Sequence, residues 1–167
     1  MSDISVVKRN GQVEEFHLSK IHDMVDHACR GLAGVSESAV EMNANLQVFD
    51  GIKTSDIQEI LIRSANDLIT LEAPNYQFVA ARLLLFGLRK QVYNGHPDLR
   101  PHIQEHVWDC IERGVYDESI LKAYSDDEWD QIDSFVDHDR DYLFTYAGLR
   151  QVVDKYLVQD RSSGEVY

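Results

Sequence analysis

The chain has 167 residues, of which 44% are hydrophobic, and its formal net charge is −13 at neutral pH. This size suits one or two small domains with a packed core. The acidic balance disfavours a duplex nucleic-acid binder, because that function needs a basic surface. The charge is uneven, since residues 1–95 hold 12 acidic and 9 basic residues whereas residues 96–167 hold 17 and 7. The first part can therefore still supply a local cationic cluster.

The cysteine content and the hydropathy of the chain indicate where in the cell the protein is located. No apolar run has the length of a membrane span, and no signal peptide opens the chain. Cys29 and Cys110 lie far apart in helical patterns, without a C-x-x-C spacing or a disulfide framework. We therefore expect a cytoplasmic location, where thiols stay reduced.

The first predicted element is a hairpin that leads into a helix. Asn10 and Gly11 are expected to supply the positive backbone angles of a two-residue turn. Lys8 and Arg9 precede this turn, and Lys20 falls in the first turn of the following helix. Because basic side chains and a helix N-terminus both favour anions, this arrangement predicts a phosphate-binding site.

Four helices are predicted in residues 18–95. Gly31 and Gly34 end the first helix. Ser36 is expected to cap the second helix, and Thr54 to cap the third after a short strand at Ile52. Pro74 fits the first turn of a fourth helix, which is apolar nearly all round from residue 78 to 88 and should be central. The residues expected to face the core in the first three helices are Ile21, Met24, Val25, Ala28 and Leu32; Ala39, Met42, Leu46 and Phe49; and Ile57, Ile60, Leu61, Ala65 and Leu68.

The segment Asn94-Gly95-His96-Pro97 is the clearest boundary, and it divides the chain into residues 1–95 and 96–167. Beyond it, one helix is predicted around Cys110, a short helical turn at residues 121–124 and another helix after a capping box that starts at Ser125. Residues 142–153 are helical in periodicity, residues 156–158 are expected to form a strand, and residues 165–167 the start of a returning strand. The side chains expected to face inward after the capping box are Trp129, Ile132, Phe135 and Val136.

Several of these segments resemble one family. The motif V-x-K-R-x-G-x-x-E-x-F-x-x-x-K-I, from Val6 to Ile21, resembles the opening of the ATP-cone, a nucleotide-binding regulatory domain of ribonucleotide reductases. Residues 50–57 are similar to its second loop, and residues 74–83 and 88–90 to its last helix. Residues 135–141 and 155–161 resemble the segment that follows the cone in the large subunit of class I ribonucleoside-diphosphate reductases.

The resemblance implies a mostly helical α+β fold. A four-helix bundle with a small β-sheet lid would form the cone in residues 1–95, and residues 96–167 would form a helical connector and the first strands of a missing catalytic barrel. ATP or dATP with Mg²⁺ would act as allosteric effector for the reduction of ribonucleotides. The implied partners are the remainder of the large subunit and the radical-generating small subunit. The chain stops inside what resembles an unfinished hairpin, which favours a split or truncated large subunit that docks through residues 156–167.

The resemblance also assigns the cationic residues. Lys8, Arg9 and Lys90 correspond to groups that contact the nucleotide phosphates, and Lys20 belongs to the same cluster. Lys53 and Arg89 are further candidates. Solvated surface charge is the alternative explanation for each of these residues.

The resemblance also implies polar and apolar contacts to the nucleotide. Thr54 corresponds to a nucleotide-contacting residue, and Glu14 could select the base or the ribose. Val7, Ile21 and Phe86 are candidate apolar contacts for the adenine, with ordinary core positions as the alternative.

Two positions depart from the family. Gln58 and Gly87 stand where feedback-inhibited relatives commonly have histidine, a residue that can stack on or donate to a second nucleotide or a neighbouring cone. The resemblance therefore implies that dATP inhibition is weak or absent, while nucleotide binding survives.

No segment predicts chemistry within this chain. Neither Cys29 nor Cys110 matches a catalytic cysteine of the family, so the chain alone should be inactive, although the resemblance implies that it is part of an oxidoreductase. His102 and His106 have a zinc-compatible spacing, but no third ligand is evident. Residues 137–141 are best explained as an acidic turn with ion pairs, and the sequence contains no P-loop.

Two other functions stay open. The chain could be a stand-alone nucleotide-sensing module, although the segments after residue 95 argue against it. It could also be a helical adaptor that binds only protein, which a nucleotide titration would distinguish.

Overall fold

The computed structural model describes residues 4–45 and 49–167, and its fold is mostly helical α+β with a small sheet. The first elements are β1 Ser5–Val7, β2 Val13–Glu15, α1 Leu18–Cys29, α2 Glu37–Ala44, β3 Ile52–Lys53, α3 Thr54–Asp67 and α4 Tyr76–Val92. They are followed by α5 Ile103–Glu112, α6 Ser119–Lys122, α7 Asp126–Ser134, a 3-10 helix His138–Leu143, α8 Tyr146–Lys155, β4 Gln159–Asp160 and β5 Glu165–Val166.

The hairpin turn differs from the two-residue prediction. Gly11 N–H donates to the Lys8 carbonyl at 2.9 Å, and Lys8 N–H donates to the Gln12 carbonyl at 2.8 Å, so the loop comprises Arg9, Asn10 and Gly11. Only Gly11 has a positive φ, at 83°, which makes this a three-residue loop with the glycine in the left-handed position. The longer loop places Arg9 at the tip, directly after Lys8.

The three-stranded sheet brings distant segments to the hairpin. Strand β1 pairs antiparallel with β2 and parallel with β3, in the order β2-β1-β3. The Ser5 backbone N–H and hydroxyl both donate to Asp50 Oδ1, at 2.9 and 2.6 Å. This contact fixes the predicted strand at Ile52 beside β1, and it places the start of α3 next to the hairpin.

Helix α4 is the centre of the core, as its apolar sequence predicted. It packs against α1, α3, the 3-10 helix, α8 and β5. Val79 and Leu83 are fully buried, and Leu149 of α8 belongs to the same buried cluster. The last part of the chain therefore covers one side of a helix that the first part supplies.

The predicted buried stripe of α2 was wrong except at Ala39, which packs against the core cluster. Met42 is 80% and Phe49 62% exposed, whereas Val40 is fully buried; Leu46 lies outside the described residues. The contact with α3 sets the buried face, since the Ser64 hydroxyl donates to the Val40 carbonyl at 2.6 Å. Ser36 does cap this helix, because its hydroxyl accepts from Ala39 N–H at 3.3 Å.

Two predicted helix starts also shift. Strand β3 runs directly into α3, so Lys53 occupies the N-cap position, Thr54 is the first helical residue and no side chain caps this end. Helix α4 begins at Tyr76, with Asn75 at its N-cap, so Pro74 precedes the helix and does not lie in its first turn.

Helices α5, α6 and α7 form a small cluster of their own around Val107, Cys110 and Trp129. The predicted capping box is present, since Glu128 N–H donates to Ser125 Oγ at 3.4 Å and Ser125 N–H donates to Glu128 Oε2 at 2.8 Å. Phe135 and Val136 are exposed, contrary to prediction, because α7 ends at Ser134 before they can turn inward.

The final segment also departs from prediction. The helix expected over residues 142–153 is divided into the 3-10 helix and α8, which Thr145 caps by accepting from Gly148 N–H at 3.2 Å. The predicted strand 156–158 was wrong, because β4 comprises Gln159–Asp160 and pairs with β5. The backbone hydrogen-bonding groups of these two short strands pair with each other, and Val166 of β5 is buried. Within the described residues, no helix combines the length and the apolarity needed to cross a membrane.

Candidate functional site

A cavity of about 510 Å³ lies between the hairpin, the first turns of α1 and α3 and the last turn of α4. Its wall brings together residues from four separate places in the sequence. Seven of the nine candidate site residues line it, namely Lys8, Arg9, Glu14, Lys20, Ile21, Thr54 and Lys90.

The cavity concentrates positive charge. Lys8 and Arg9 come from the hairpin, Lys20 from the first turn of α1 and Lys90 from the last turn of α4. Burial lowers the pKa of Lys90, and the charges of Lys8, Arg9 and Lys20 lower it further. Arg9 is exposed as a residue, yet the protein around its guanidinium lowers its pKa. An anionic ligand would relieve the mutual repulsion of these groups.

Glu14 lies among these cations. Its Oε2 is 3.1 Å from Lys20 Nζ and 3.4 Å from Lys8 Nζ. The hydrogen bond from Lys20 and the charge of Lys8 lower the pKa of Glu14, so its carboxylate is ionised at neutral pH. The carboxylate thus holds two lysine head groups from different elements at one end of the cavity.

Val7 and Phe86 do not line the cavity. Side chains alternate along a strand, and Val6 and Lys8 are the two residues of this stretch that face the site, so Val7 faces away. Phe86 is adjacent instead: the Lys90 ammonium lies 4.4 Å from the centre of its ring. The aromatic ring therefore supports a cation of the site and does not form its wall.

Several lining residues were missed from the sequence. Met24 follows Ile21 by three positions and Ile57 follows Thr54 by three, so same-face helical spacing could have identified both. Gln91, Asn94 and Gly95 were less accessible to prediction. Gln91 belongs to the last turn of α4. Asn94 and Gly95 reach the cavity because the chain turns after α4, where Asn94 has a φ of 50° and Gly95 N–H donates to the Lys90 carbonyl at 2.7 Å.

Gln58 lines the cavity, and Gly87 of α4 lies next to it. Gln58 is buried, and its amide donates to the Leu83 carbonyl at 2.8 Å. A Cβ on residue 87 would lie 3.2 Å from Gln58 Cγ and 3.5 Å from Arg9 Nη2. A larger side chain at residue 87 would therefore have to displace Gln58 or Arg9.

The remaining candidate cations lie elsewhere. Arg89 is buried, and its guanidinium bonds to Asp141 Oδ2 of the 3-10 helix at 2.6 Å. Lys53 is exposed and does not line the cavity. The acidic turn at residues 137–141 thus contributes a long-range ion pair to α4.

Among the described residues, no group of three His, Cys, Asp or Glu side chains could hold a metal ion. His102 caps α5 by accepting from Gln104 N–H at 3.3 Å, and its Nε2 is 3.3 Å from Asp130. Burial raises the pKa of Cys29 to about 11 and also raises the pKa of Cys110. Because the thiolate is the reactive form, neither cysteine is prepared to act as a nucleophile.

Comparison of the sequence with known proteins gives the class of domain. Residues 4–91 match the ATP cone domain family, and the chain belongs to this family. The chain is also homologous to the N-terminal region of ribonucleoside-diphosphate reductase alpha subunits, so this cone is the allosteric regulatory domain of a ribonucleotide reductase large subunit.

Three relatives illustrate the similarity. The chain is 47% identical over 165 residues to ribonucleoside-diphosphate reductase 1 subunit alpha of Escherichia coli (strain K12), covering 99% of the chain and 21% of that protein. It is 45% identical to the alpha subunit of Haemophilus influenzae, and the match covers 98% of the chain and 21% of that protein. It is 39% identical to the alpha subunit of Enterobacteria phage T4, and the match covers 100% of the chain and 22% of that protein. The chain thus spans about a fifth of the length of these relatives.

Proposed function

We propose that the cone binds one ATP or dATP, with Mg²⁺, in the cavity between the hairpin and α4. The observation that carries the proposal is the convergence of Lys8, Arg9, Lys20 and Lys90 on one cavity. Within the described residues, Lys90 is half-buried without a carboxylate at ion-pair distance, and Arg9 also has none. Charge-assisted contacts to phosphate would compensate these cations.

The charge of the cavity suits a magnesium complex of the nucleotide. Glu14 and Glu15 line the cavity with the four cations, so the positive charge is already partly offset. Mg²⁺ prefers oxygen ligands and is commonly bound by phosphates together with one or two carboxylates. Glu14 is held by lysines, which leaves Glu15 as the carboxylate that would contribute an oxygen. The metal would reduce the phosphate charge that the protein must neutralise.

We further propose that residues 1–95 act as the cone, with α1–α4 as its bundle, and that residues 96–167 connect it to the rest of a large subunit. The nucleotide would favour one arrangement of subunits through different affinities for each state. Reduction of ribonucleotides would take place in the catalytic barrel of the large subunit, with the radical-generating small subunit. Buried Cys29 and Cys110 support the inference that this chain alone is inactive.

The connector offers a surface for such a partner. Phe135 is 86%, Leu143 71% and Tyr156 71% exposed, all within residues 96–167. A contiguous exposed apolar patch is typical of protein interfaces, and each of these three side chains would contribute apolar surface to one. We propose that the remainder of the large subunit covers them.

Calorimetric titration tests nucleotide binding directly. The chain is titrated with ATP and with dATP, each in the presence of Mg²⁺ and in the presence of a chelator. We expect binding with a stoichiometry of one and a weaker affinity without Mg²⁺. If the folded chain shows no heat with either nucleotide, the proposal fails and the helical adaptor becomes the better explanation.

A co-purification experiment separates the connector from a stand-alone sensor. The chain is co-expressed with a polypeptide that carries the remainder of an alpha subunit, and a radical-generating small subunit is added. We expect a stable complex with reductase activity. A chain that binds nucleotide but never co-purifies would be a stand-alone sensing module.

Gln58 and Gly87 support a proposal about inhibition. Neither provides an aromatic or imidazole ring, and Gln58 is engaged with the Leu83 carbonyl. We therefore propose that dATP inhibits the assembled enzyme weakly or not at all. The measurement is reductase activity across rising dATP, with the effector site for substrate choice kept saturated. Strong inhibition at low dATP would contradict this proposal without affecting nucleotide binding.

A further inference from the structure

Two adjacent residues in the last turn of α4 contact different parts of the molecule. Lys90 lines the cavity, whereas the preceding residue, Arg89, is only 7% exposed and bonds to Asp141 at 2.6 Å. Asp141 belongs to the 3-10 helix, which lies outside the residues matched by the cone family. One helical turn therefore contacts both the candidate nucleotide site and the segment that follows the cone.

Tyr142 reinforces the contact between the 3-10 helix and the cone. Its ring lies 5.7 Å from the Arg89 guanidinium carbon and 5.5 Å from that of Arg82. Arg82 in turn donates to the carbonyls of Ala28 and Arg30, at 3.1 and 2.8 Å, at the end of α1. Two arginines of α4 thus hold the 3-10 helix by charge and by aromatic contact.

A second set of contacts connects the same two places. The Lys90 ammonium lies over the Phe86 ring, and the Phe86 ring centre is 6.5 Å from that of His27. The His27 ring is in turn 6.3 Å from Tyr142, in an edge-on arrangement. A continuous series of packed side chains therefore runs from a cation of the cavity to the 3-10 helix.

We propose that nucleotide binding and docking of the 3-10 helix on α4 are coupled through the last turn of α4, with Asp141 and Tyr142 as positioning residues. The proposal rests on the proposed function, since the ligand is the same nucleotide. Asp141 and Tyr142 would not touch the nucleotide but would act through Arg89 and its neighbour Lys90.

Electrostatics gives the direction of the coupling. Without a ligand, Lys8, Arg9 and Lys20 repel Lys90, and this repulsion acts on the end of α4. A polyphosphate would replace this repulsion with attraction and so stabilise the turn. A stabilised turn holds Arg89 in position to bind Asp141. Nucleotide binding and docking of the 3-10 helix then share the entropic cost of ordering this turn. The coupling is reciprocal, because a docked 3-10 helix must strengthen nucleotide binding by the same factor.

Hydrogen exchange on the unchanged chain tests the coupling without any substitution. Exchange is measured with and without ATP and Mg²⁺, at a concentration that calorimetry shows to be saturating. We expect slower exchange in residues 138–155 with nucleotide. Helix α7, which packs on α5, serves as the internal control and should not change. Bound nucleotide without added protection in residues 138–155 would overturn the coupling and leave the proposed function intact.

Substitution of Asp141 tests the reciprocal effect. Asp141→Asn should weaken ATP binding roughly five-fold or more, and Asp141→Glu should restore part of the loss. The matched control is Glu118→Gln, which removes an ion pair of 3.0 Å with Lys122 that does not involve α4. Equal affinities in Asp141→Asn and in the control would overturn the coupling. If the unchanged chain binds no nucleotide at all, both this inference and the proposed function fail.

Discussion

The two parts of the chain use similar helical periodicity to build different kinds of core. In the first part, Val25, Val40, Leu61, Val79 and Leu83 are completely or almost completely buried around α4. In the second part, the separate cluster of α5–α7 rests on Val107, Cys110 and Trp129, and the 3-10 helix, α8 and β5 take their cover from α4. The second part therefore depends on the first for its stability, whereas the first supplies most of its own core.

The two parts of the chain also differ in their balance of acidic and basic residues. The first part is nearly balanced, with 12 acidic and 9 basic residues, and it gathers four of its bases at one cavity. The second part has 17 acidic and 7 basic residues, and Asp141 is the acid that it presents to Arg89 of α4. A negative overall charge therefore does not exclude an anion-binding site, because a few cations can be placed together locally in an acidic protein.

The largest expected effect comes from a comparison of two leucines, one in the core of the first part and one on the surface of the second. Leu83→Ala should cost about 2–5 kcal/mol of unfolding free energy, because Leu83 is completely buried and its loss leaves a cavity. Leu143→Ala, at a residue that is 71% exposed, should change stability by less than about 0.5 kcal/mol. Urea unfolding monitored by circular dichroism measures both. Equal losses would mean that Leu83 stabilises the core of the first part no more than a surface leucine stabilises the second part.

A second test addresses the difference in charge. Lys8→Ala and Lys90→Ala should each weaken ATP binding by roughly 1.5–3 kcal/mol, because each removes a charge-assisted contact to phosphate. Lys155→Ala removes the same charge from the second part and should leave the affinity unchanged. Calorimetry compares the three variants. A similar loss in all of them would indicate long-range attraction and not a built site.

The exposed apolar residues allow a third test. Phe135→Asp should weaken co-purification with the remainder of an alpha subunit by about five-fold or more, since buried aromatic side chains commonly dominate interfaces. Leu71→Asp alters a residue of the first part that is 96% exposed, and it should have no effect. Point variants are cleaner than deletion of residues 156–167, because Val166 in that segment is buried against α4. Undiminished binding of Phe135→Asp would place the interface elsewhere.

The smallest expected effect concerns pH and the surface of the first part. His22 Nδ1 is 3.0 Å from Glu41 Oε1, and this hydrogen bond raises the pKa of His22. A raised folded-state pKa stabilises the fold below the unfolded value of about 6.5, and the contribution is lost as the pH rises through the folded value. Wild type should therefore exceed His22→Gln in stability by more at about pH 5.5 than at about pH 8.5. A pH-independent difference would show that the ion pair contributes nothing.

The sequence predicted those features that depend on neighbouring residues. The hairpin, the Ser36 cap and the capping box at Ser125 were found because each is encoded within a few residues. The gathering of Lys8, Arg9 and Lys90 was inferred from the family resemblance, and Lys20 was placed beside the hairpin from its position in the next helix. The structure brings all four residues to one cavity.

The features that were missed depend on distant partners. The buried face of α2 is set by α3, which selects Val40 over Met42. Whether Val6 or Val7 faces the cavity depends on how β1 pairs with its neighbours, since a shift of one residue reverses the face. Phe135 is apolar and follows a helix, yet α7 ends one residue before it, so periodicity alone gave the wrong orientation.

The adjacency of Arg89 and Lys90 limits how this protein can evolve. An inserted residue in an α-helix turns everything after it by about 100° and advances it by about 1.5 Å. A single insertion between Leu83 and Arg89 would therefore rotate both arginine and lysine away from their partners at once. Loops tolerate insertions of this kind, but in α4 a single inserted residue would break the contacts of its last turn. The number of residues between the buried part of α4 and its last turn is therefore fixed. Natural variation in the family should consequently appear as substitutions in α4 and as length changes only outside it.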